Sequence, residues 1–280
     1  MSAVPSPWAR AALAHVAQQA GGGPLDRSLR ITLNFHPDRV RDGLTVLQHL
    51  ARDGVYRSQF ETGTSNGGLT AHQGGERWRW ESRIFATAYD DAPPAQRPRY
   101  GALDHRRRAL GGAPRFGSSF LRLAEHVLDR STFCFPDSVV DPVDLGTVDR
   151  CDLIRLAEDG DADLLDDYVE AHVHGVLEIG EDVEALVLDP SFRATPVAEH
   201  AEHLGIPVEW HEGRRLSVGT LEQHPAFRGA AIVEVGRSIA EGGFLDAEVV
   251  GRAVRDGRHD VQDLKKVWHH VARWGVPWHS

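Results

Sequence analysis

The chain has two cysteines, Cys134 and Cys151, one methionine and two lysines, Lys265 and Lys266. Two cysteines supply neither a disulfide framework nor a Cys-based zinc site. No run approaches the roughly 18 apolar residues of a membrane span, so no membrane partner is expected. The opening residues, Met1-Ser2-Ala3-Val4-Pro5, lack the basic-then-apolar order of a secretory signal, and the expected location is cytoplasmic. The glycine-rich stretch Glu61-Thr62-Gly63-Thr64-Ser65-Asn66-Gly67-Gly68 carries no Gly-Lys-Ser/Thr, which argues against a P-loop. Positive charge is also short: the net charge of −10 argues against a general binder of nucleic acid or of anionic membranes. The preference for Arg over Lys points to a GC-rich bacterial genome.

What remains is an ordinary globular composition, 41% hydrophobic and 26% charged over 280 residues, enough to bury a substantial core. Hydrophobic periodicity and turn signals predict a helix over Pro7–Gln19 and strands over Ile31–Phe35, Val55–Phe60, Phe116–Leu123 and Ser131–Phe135. They also predict a helix over Glu76–Tyr89, a strand ending at Pro190, a helix over Pro196–Leu204 and a short edge strand over Ile206–Trp210. Short strands and short helices without strict alternation predict an α+β fold and argue against a doubly wound sheet. No repeat is evident. The expected organisation is a core over residues 1–212 and a mostly helical C-terminal extension, 213–280, packed on it.

Chemistry concentrates in Asp166-Asp167-Tyr168-Val169-Glu170-Ala171-His172-Val173-His174-Gly175. Read as a strand, it projects Glu170, His172 and His174 from one face and Val169, Ala171 and Val173 from the other. One carboxylate and two imidazoles in a row are costly to bury without partners. Imidazole and carboxylate also suit a metal ion, with His36 as a further ligand. The glycine-rich loop offers hydroxyls and flexible backbone beside a ligand. Tyr100-Gly101 and Phe116-Gly117-Ser118-Ser119 mark places where backbone closely approaches a neighbour. Trp78 and Trp80, at i and i+2 of one helix, cannot both face one core.

The segments Phe116 to Leu123, Arg130-Ser131-Thr132-Phe133 and Asp137-Ser138 resemble a pattern in bacterial and phage ADP-ribosyltransferase-like domains. So do the strand Tyr168 to Gly175 and Glu181-Asp182-Val183. His36-Pro37-Asp38-Arg39, Tyr56 to Gly68, Arg97 to Gly101 and Glu170 to Gly175 resemble, more narrowly, a bacterial domain family of unknown function. The similarity runs over about residues 30–195. It implies a split pair of small twisted sheets gripping NAD, as a substrate, in the cleft between them. It also implies a catalytic glutamate, Glu170, that stabilises the oxocarbenium-like transition state. The implied cofactor-binding residues are His36, Arg39, Arg57, Ser58, Tyr100, Ser118, Ser119 and His172. Of these His36, Arg39 or Arg57 would be the first-strand residue holding ribose or phosphate. The full Ser-Thr-Ser form is absent at Ser118-Ser119. Position 168 is Tyr168 in place of Glu or Gln, which leaves the acceptor open among protein, nucleic acid, small molecule and water.

The expected activity is therefore a NAD-dependent ADP-ribosyltransferase or NAD glycohydrolase, with no metal assigned. The alternative is a metal-dependent hydrolase or phosphoesterase built on His172, His174 and His36. A non-catalytic binding protein on the same scaffold is a third possibility.

Overall fold

The computed structural model describes residues 5–63, 68–140, 142–160, 163 and 165–278. Its backbone is one eight-stranded mixed sheet: β1 (Ile31–Phe35), β2 (Arg99–Leu103), β3 (Ser119–Leu123), β4 (Ser131–Phe135), β5 (Asp144–Thr147), β6 (Val169–Val173), β7 (Val183–Leu188) and β8 (Val208–Trp210). The spatial order is β8-β7-β3-β1-β2-β6-β4-β5. Every neighbouring pair is antiparallel except β7–β8. The fold is α+β, and β8 is the expected edge strand. The resemblance implied two small sheets. Instead β1 and β2 are each paired on both sides, so the ladder runs unbroken from β8 to β5, with separate two-stranded ladders beside it.

Alternation along β6 decides what lies on each face. Val169, Ala171 and Val173 enter the main apolar core with Leu33, Leu103 and Phe133. Glu170 and His172 face the other way, toward a smaller cluster of Trp80, Phe85, Tyr89, Cys134 and Leu145. That cluster is roofed by α1 (Pro7–Gln19) and α3 (Glu76–Ile84), while α2 (Val46–Asp53) follows β1. Ser6 caps α1 by accepting from Ala9 N at 3.2 Å, and Thr45 and Gln48 form a capping box on α2. On α3, Trp80 is buried and Trp78 half-buried, as their spacing requires.

Several predicted elements are shorter than expected: the strand over Phe116–Leu123 begins only at Ser119, and two others stop well before their expected ends. The strand over Val55–Phe60 stops at Tyr56, because Ser58 and Glu61 make a capping box that starts a one-turn helix, Gln59–Thr62. The helix over Glu76–Tyr89 stops at Ile84, because Ala86 and Thr87 take φ of 47° and 62°. The C-terminal residues share the main core through Leu216, Leu245, Leu264 and Trp268. Three helices lead there, α4 (Ala230–Ile239), α5 (Ala247–Asp256) and α6 (Val261–Trp274). Trp268 Nε1 donates to Pro114 O at 2.8 Å, and Arg255 pairs with Asp38 in the loop after β1.

Both suspected close approaches are present. A Cβ on Gly101 would lie 2.6 Å from Thr32 O, and one on Gly117 only 2.1 Å from the carbonyl carbon of Phe35. The second contact is with backbone that cannot move without disturbing β1. Gly117→Ala should therefore destabilise the protein by about 1–3 kcal/mol or more, read as a lower denaturant midpoint with an unchanged slope. A wild-type midpoint would show that this approach is not tight.

Candidate functional site

A cleft of about 480 Å³ opens beside β1, β2 and β6. Its size falls within the roughly 300–1,000 Å³ usual for small-molecule sites. Thr32, Asn34 and His36 reach it from β1 and the following loop, Tyr100 and Gly101 from β2, and Tyr168 and Glu170 from β6 and its approach. Arg57 and Gln59 line one wall, with Thr62 and Gly68, the described ends of the glycine-rich loop; Thr64–Gly67 lie outside the described residues. Val261, Gln262 and Lys265 of α6 close the cleft from the C-terminal side.

Cross-strand register builds the floor. Glu170 stands opposite Ala102 on β2 and Cys134 on β4, and His172 opposite Tyr100 and Thr132. Glu170 is 5% exposed. Its Oε2 accepts from Ser138 N at 3.0 Å and Ser138 Oγ at 2.9 Å. Ser138 Oγ in turn accepts from Arg77 Nη1 at 2.8 Å. Oε1 has no hydrogen-bond partner and lies 3.6 Å from Arg77 Nη1 and 3.3 Å from His172 Nε2, which faces it without good alignment. Burial works against ionisation here, yet His172, Arg77 and the Ser138 N–H outweigh it and hold the Glu170 pKa down at about 2. The result is a buried, ionised carboxylate with one oxygen free of hydrogen bonds.

Behind Glu170 runs a hydrogen-bonded file of buried side chains. Tyr89 OH is 2.7 Å from His174 Nδ1, His174 Nε2 is 2.9 Å from Thr132 Oγ1, and Thr132 Oγ1 is 3.0 Å from His172 Nδ1. A carboxylate can only accept, so the file reads in one direction. Tyr89 donates to His174, His174 to Thr132, Thr132 to His172, and His172 turns its Nε2–H toward Oε1. Burial lowers the pKa of His172, and with the neighbouring His172 and Arg130 lowers that of His174 further, so both rings are neutral.

Arg77 is sandwiched as well as paired. Its guanidinium lies 4.0 Å from the Tyr100 ring centroid, and Tyr100 OH donates to Glu81 Oε1 at 2.6 Å. Arg97 Nη1 holds the other Glu81 oxygen at 2.5 Å. Removing one member of such a buried pair typically costs about 3–5 kcal/mol, so this wall is stiff. Tyr168 OH donates to Asp137 and fixes the aromatic edge of the floor.

The cleft is cationic although the chain is acidic. Arg39, Arg41, Arg57, Arg77, Arg99, Arg115 and Lys265 line it against two carboxylates, Asp53 and Glu170. Arg57 pairs with Asp53 at 2.8 Å, and Arg99 is spent on backbone carbonyls of Tyr56, Ala95, Arg97 and Gly175. Burial together with Arg39, His269 and Lys265 keeps His36 neutral, its ring edge-on to Trp268 with centroids 5.4 Å apart.

The structure thus brings Glu170, His36, Arg39, Arg57 and Tyr100 to one cleft. Ser58, Ser118, Ser119 and His172 do not line it. Ser58 Oγ donates to Pro94 O and caps the one-turn helix, and Ser119 Oγ accepts from Asp189 N at 3.1 Å. Ser118 Oγ is buried without a partner, and His172 stands behind Glu170. His174 and His172 share the Thr132 hydroxyl, so the point between the two rings is occupied. Among the described residues, the donor set close enough to hold a metal is instead Cys134, Glu170 and His172, with donor atoms within 4.8 Å of one another. Arg77, Arg115 and Lys265 went unnoticed in the sequence. Only the scarcity of lysine gave any sign, and arginine is too common here to mark a site.

Residues 30–161 and 152–274 match the model of the family described as "Protein of unknown function (DUF3626)". Together these segments cover well over half of the 280 residues, and the chain belongs to that family. No curated protein matches it. No helix among the described residues is long and apolar enough to cross a membrane.

The depressed Glu170 pKa has a testable sign. Its folded value of about 2 lies below the ordinary glutamate value of 4.5. The charge therefore contributes stability above pH 4.5 that is lost as pH falls toward 2. Between those values the wild type should lose more stability than Glu170→Gln, measured by urea unfolding at each pH. Parallel curves would show that Glu170 is not held ionised.

Proposed function

We propose that this protein consumes NAD, as an ADP-ribosyltransferase or NAD glycohydrolase, with Glu170 as the catalytic carboxylate. The observation that carries this reading is the pairing of a buried, ionised carboxylate, one oxygen unpartnered, with a cleft rich in cations. A pyrophosphate needs cationic or N–H donors, and Arg39, whose guanidinium has no ion-pair partner among the described residues, lies in the cleft with His36. An N-glycosidic bond to a ribose needs a fixed negative charge near C1′. As that bond breaks, its electron pair leaves with nicotinamide, and positive charge develops on the ribose. Glu170 is already ionised and held by Ser138, so it stabilises that charge without reorganising. Oε1, which makes no hydrogen bond, keeps acceptor capacity for a ribose hydroxyl. A water or acceptor lone pair then forms the new bond to C1′, and its proton passes to solvent. Tyr100, Tyr168 and Phe116 offer aromatic surface where the resemblance implied a serine-bearing strand. The kinship with ADP-ribosyltransferase-like domains implied by the resemblance belongs with this proposal, on a continuous sheet in place of a split one.

A second reading, a metal-assisted hydrolase, is favoured only by the Cys134–Glu170–His172 donor set. Arg77, 3.6 Å from Glu170, opposes it by placing a fixed cation beside the would-be ligand.

Glu170→Gln keeps shape and removes charge. Under the NAD reading it should fold and still bind NAD, while NAD turnover falls by roughly a hundredfold or more. Normal folding with wild-type turnover would remove Glu170 from the chemistry. Elemental analysis of the purified wild type should find no stoichiometric metal, and one equivalent of zinc, iron or manganese would favour the hydrolase.

A further inference from the structure

Beyond the cleft floor, a second group of buried nitrogens waits without acceptors. One helical turn after Lys265 on α6 comes His269, 4% exposed, with neither ring nitrogen hydrogen-bonded. Arg228 Nε and Nη2, from the loop before α4, and Arg115 Nε, from the one-turn segment Pro114–Phe116, are likewise buried and make no hydrogen bond. The three side chains converge. Arg115 pairs with Asp166, and Arg228 Nη2 lies 4.0 Å from the other oxygen of the same carboxylate. Burial and then Arg228, Arg115 and Lys265 drive the His269 pKa down to about 3, against a smaller upward pull from the nearby Arg115 backbone, which is not aligned well enough for a hydrogen bond. Asp166 is the carboxylate that Arg115 and Arg228 share.

The backbone adds an independent sign. Arg228 is held at φ 151°, a conformation that residues with a side chain adopt rarely and at a cost. Buried donors left unsatisfied are costly as well. A folded chain that bears both costs at one place has a ready site for an anion. Arg115 and Lys265 also line the cleft, so the two regions are continuous.

We propose that Arg115, Arg228 and His269 form a phosphomonoester subsite that opens past Lys265 into the cleft. Forked guanidinium donors suit a tetrahedral dianion, and the neutral imidazole adds one N–H. The phosphate would belong either to the dinucleotide itself, as a 2′-phosphate, or to a phosphorylated small-molecule acceptor. The subsite deepens the NAD reading, but its affinity for phosphate is separable from it.

The probe is inorganic phosphate, titrated by calorimetry into the full-length protein in phosphate-free buffer. The wild type should bind saturably. Arg228→Gln, at a side chain 26% exposed, should fold and bind about tenfold more weakly or worse. His269→Asn should weaken binding in the same direction. No saturable binding by the wild type, or wild-type binding by a folded Arg228→Gln, overturns the proposal. Two further arms separate the sources. If the 2′-phosphate is the ligand, Arg228→Gln weakens NADP but not NAD. If an acceptor phosphate is the ligand, it weakens ribose 5-phosphate and leaves both dinucleotides alike. A wild type that binds phosphate but neither dinucleotide would overturn the NAD reading and leave the subsite standing.

Discussion

The ionised carboxylate of Glu170 in a nearly water-free position is the constraint on which the site depends. An isolated buried charge is too costly to keep and would normally neutralise itself by taking up a proton. Here the cost is met from three directions. Ser138 supplies two donors to one oxygen, Arg77 supplies a fixed positive charge, and His172 turns an N–H toward the other oxygen. Each of those groups needs support of its own. Arg77 is held by Tyr100 and, through it, by the Glu81–Arg97 pair, while His172 is held by the file through Thr132 and His174 to Tyr89. Much of the small cluster under α1 and α3 exists to keep one negative charge in one place.

The cleft shows why net charge says little about a local site. The chain carries −10 overall, yet seven cationic side chains face two carboxylates around one cavity. The sheet positions Thr32, Asn34, Tyr100 and Glu170, and α6 brings Lys265 in from more than 90 residues away in sequence, so the C-terminal helices complete the wall. Trp268 bonding to Pro114 and Arg255 pairing with Asp38 hold that wall against β1.

The β6 strand was legible because period-two alternation is local, and Glu170 and His172 share the face the pattern required. Gly101 and Gly117 were legible for a similar reason: glycine next to a strand signals close backbone approach, and both would clash if they carried a Cβ. The strand over Val55–Phe60 misled because β-propensity lost to the Ser58–Glu61 capping box, a side-chain interaction that outcompetes four more residues of ladder. Ser118 and Ser119 were assigned to the site by the resemblance, and only the three-dimensional register shows Ser119 engaged with Asp189. Arg77, Arg115, Arg228 and His269 were not legible, since their meaning lies in which distant groups they meet or fail to meet.

The most direct test of the account is a crystal structure of the protein soaked with NAD. The account predicts a ribose hydroxyl within hydrogen-bonding distance of Glu170 Oε1 and the pyrophosphate on the Arg39 side of the cleft. Dinucleotide bound elsewhere, or a metal ion held between Cys134, Glu170 and His172, would contradict it.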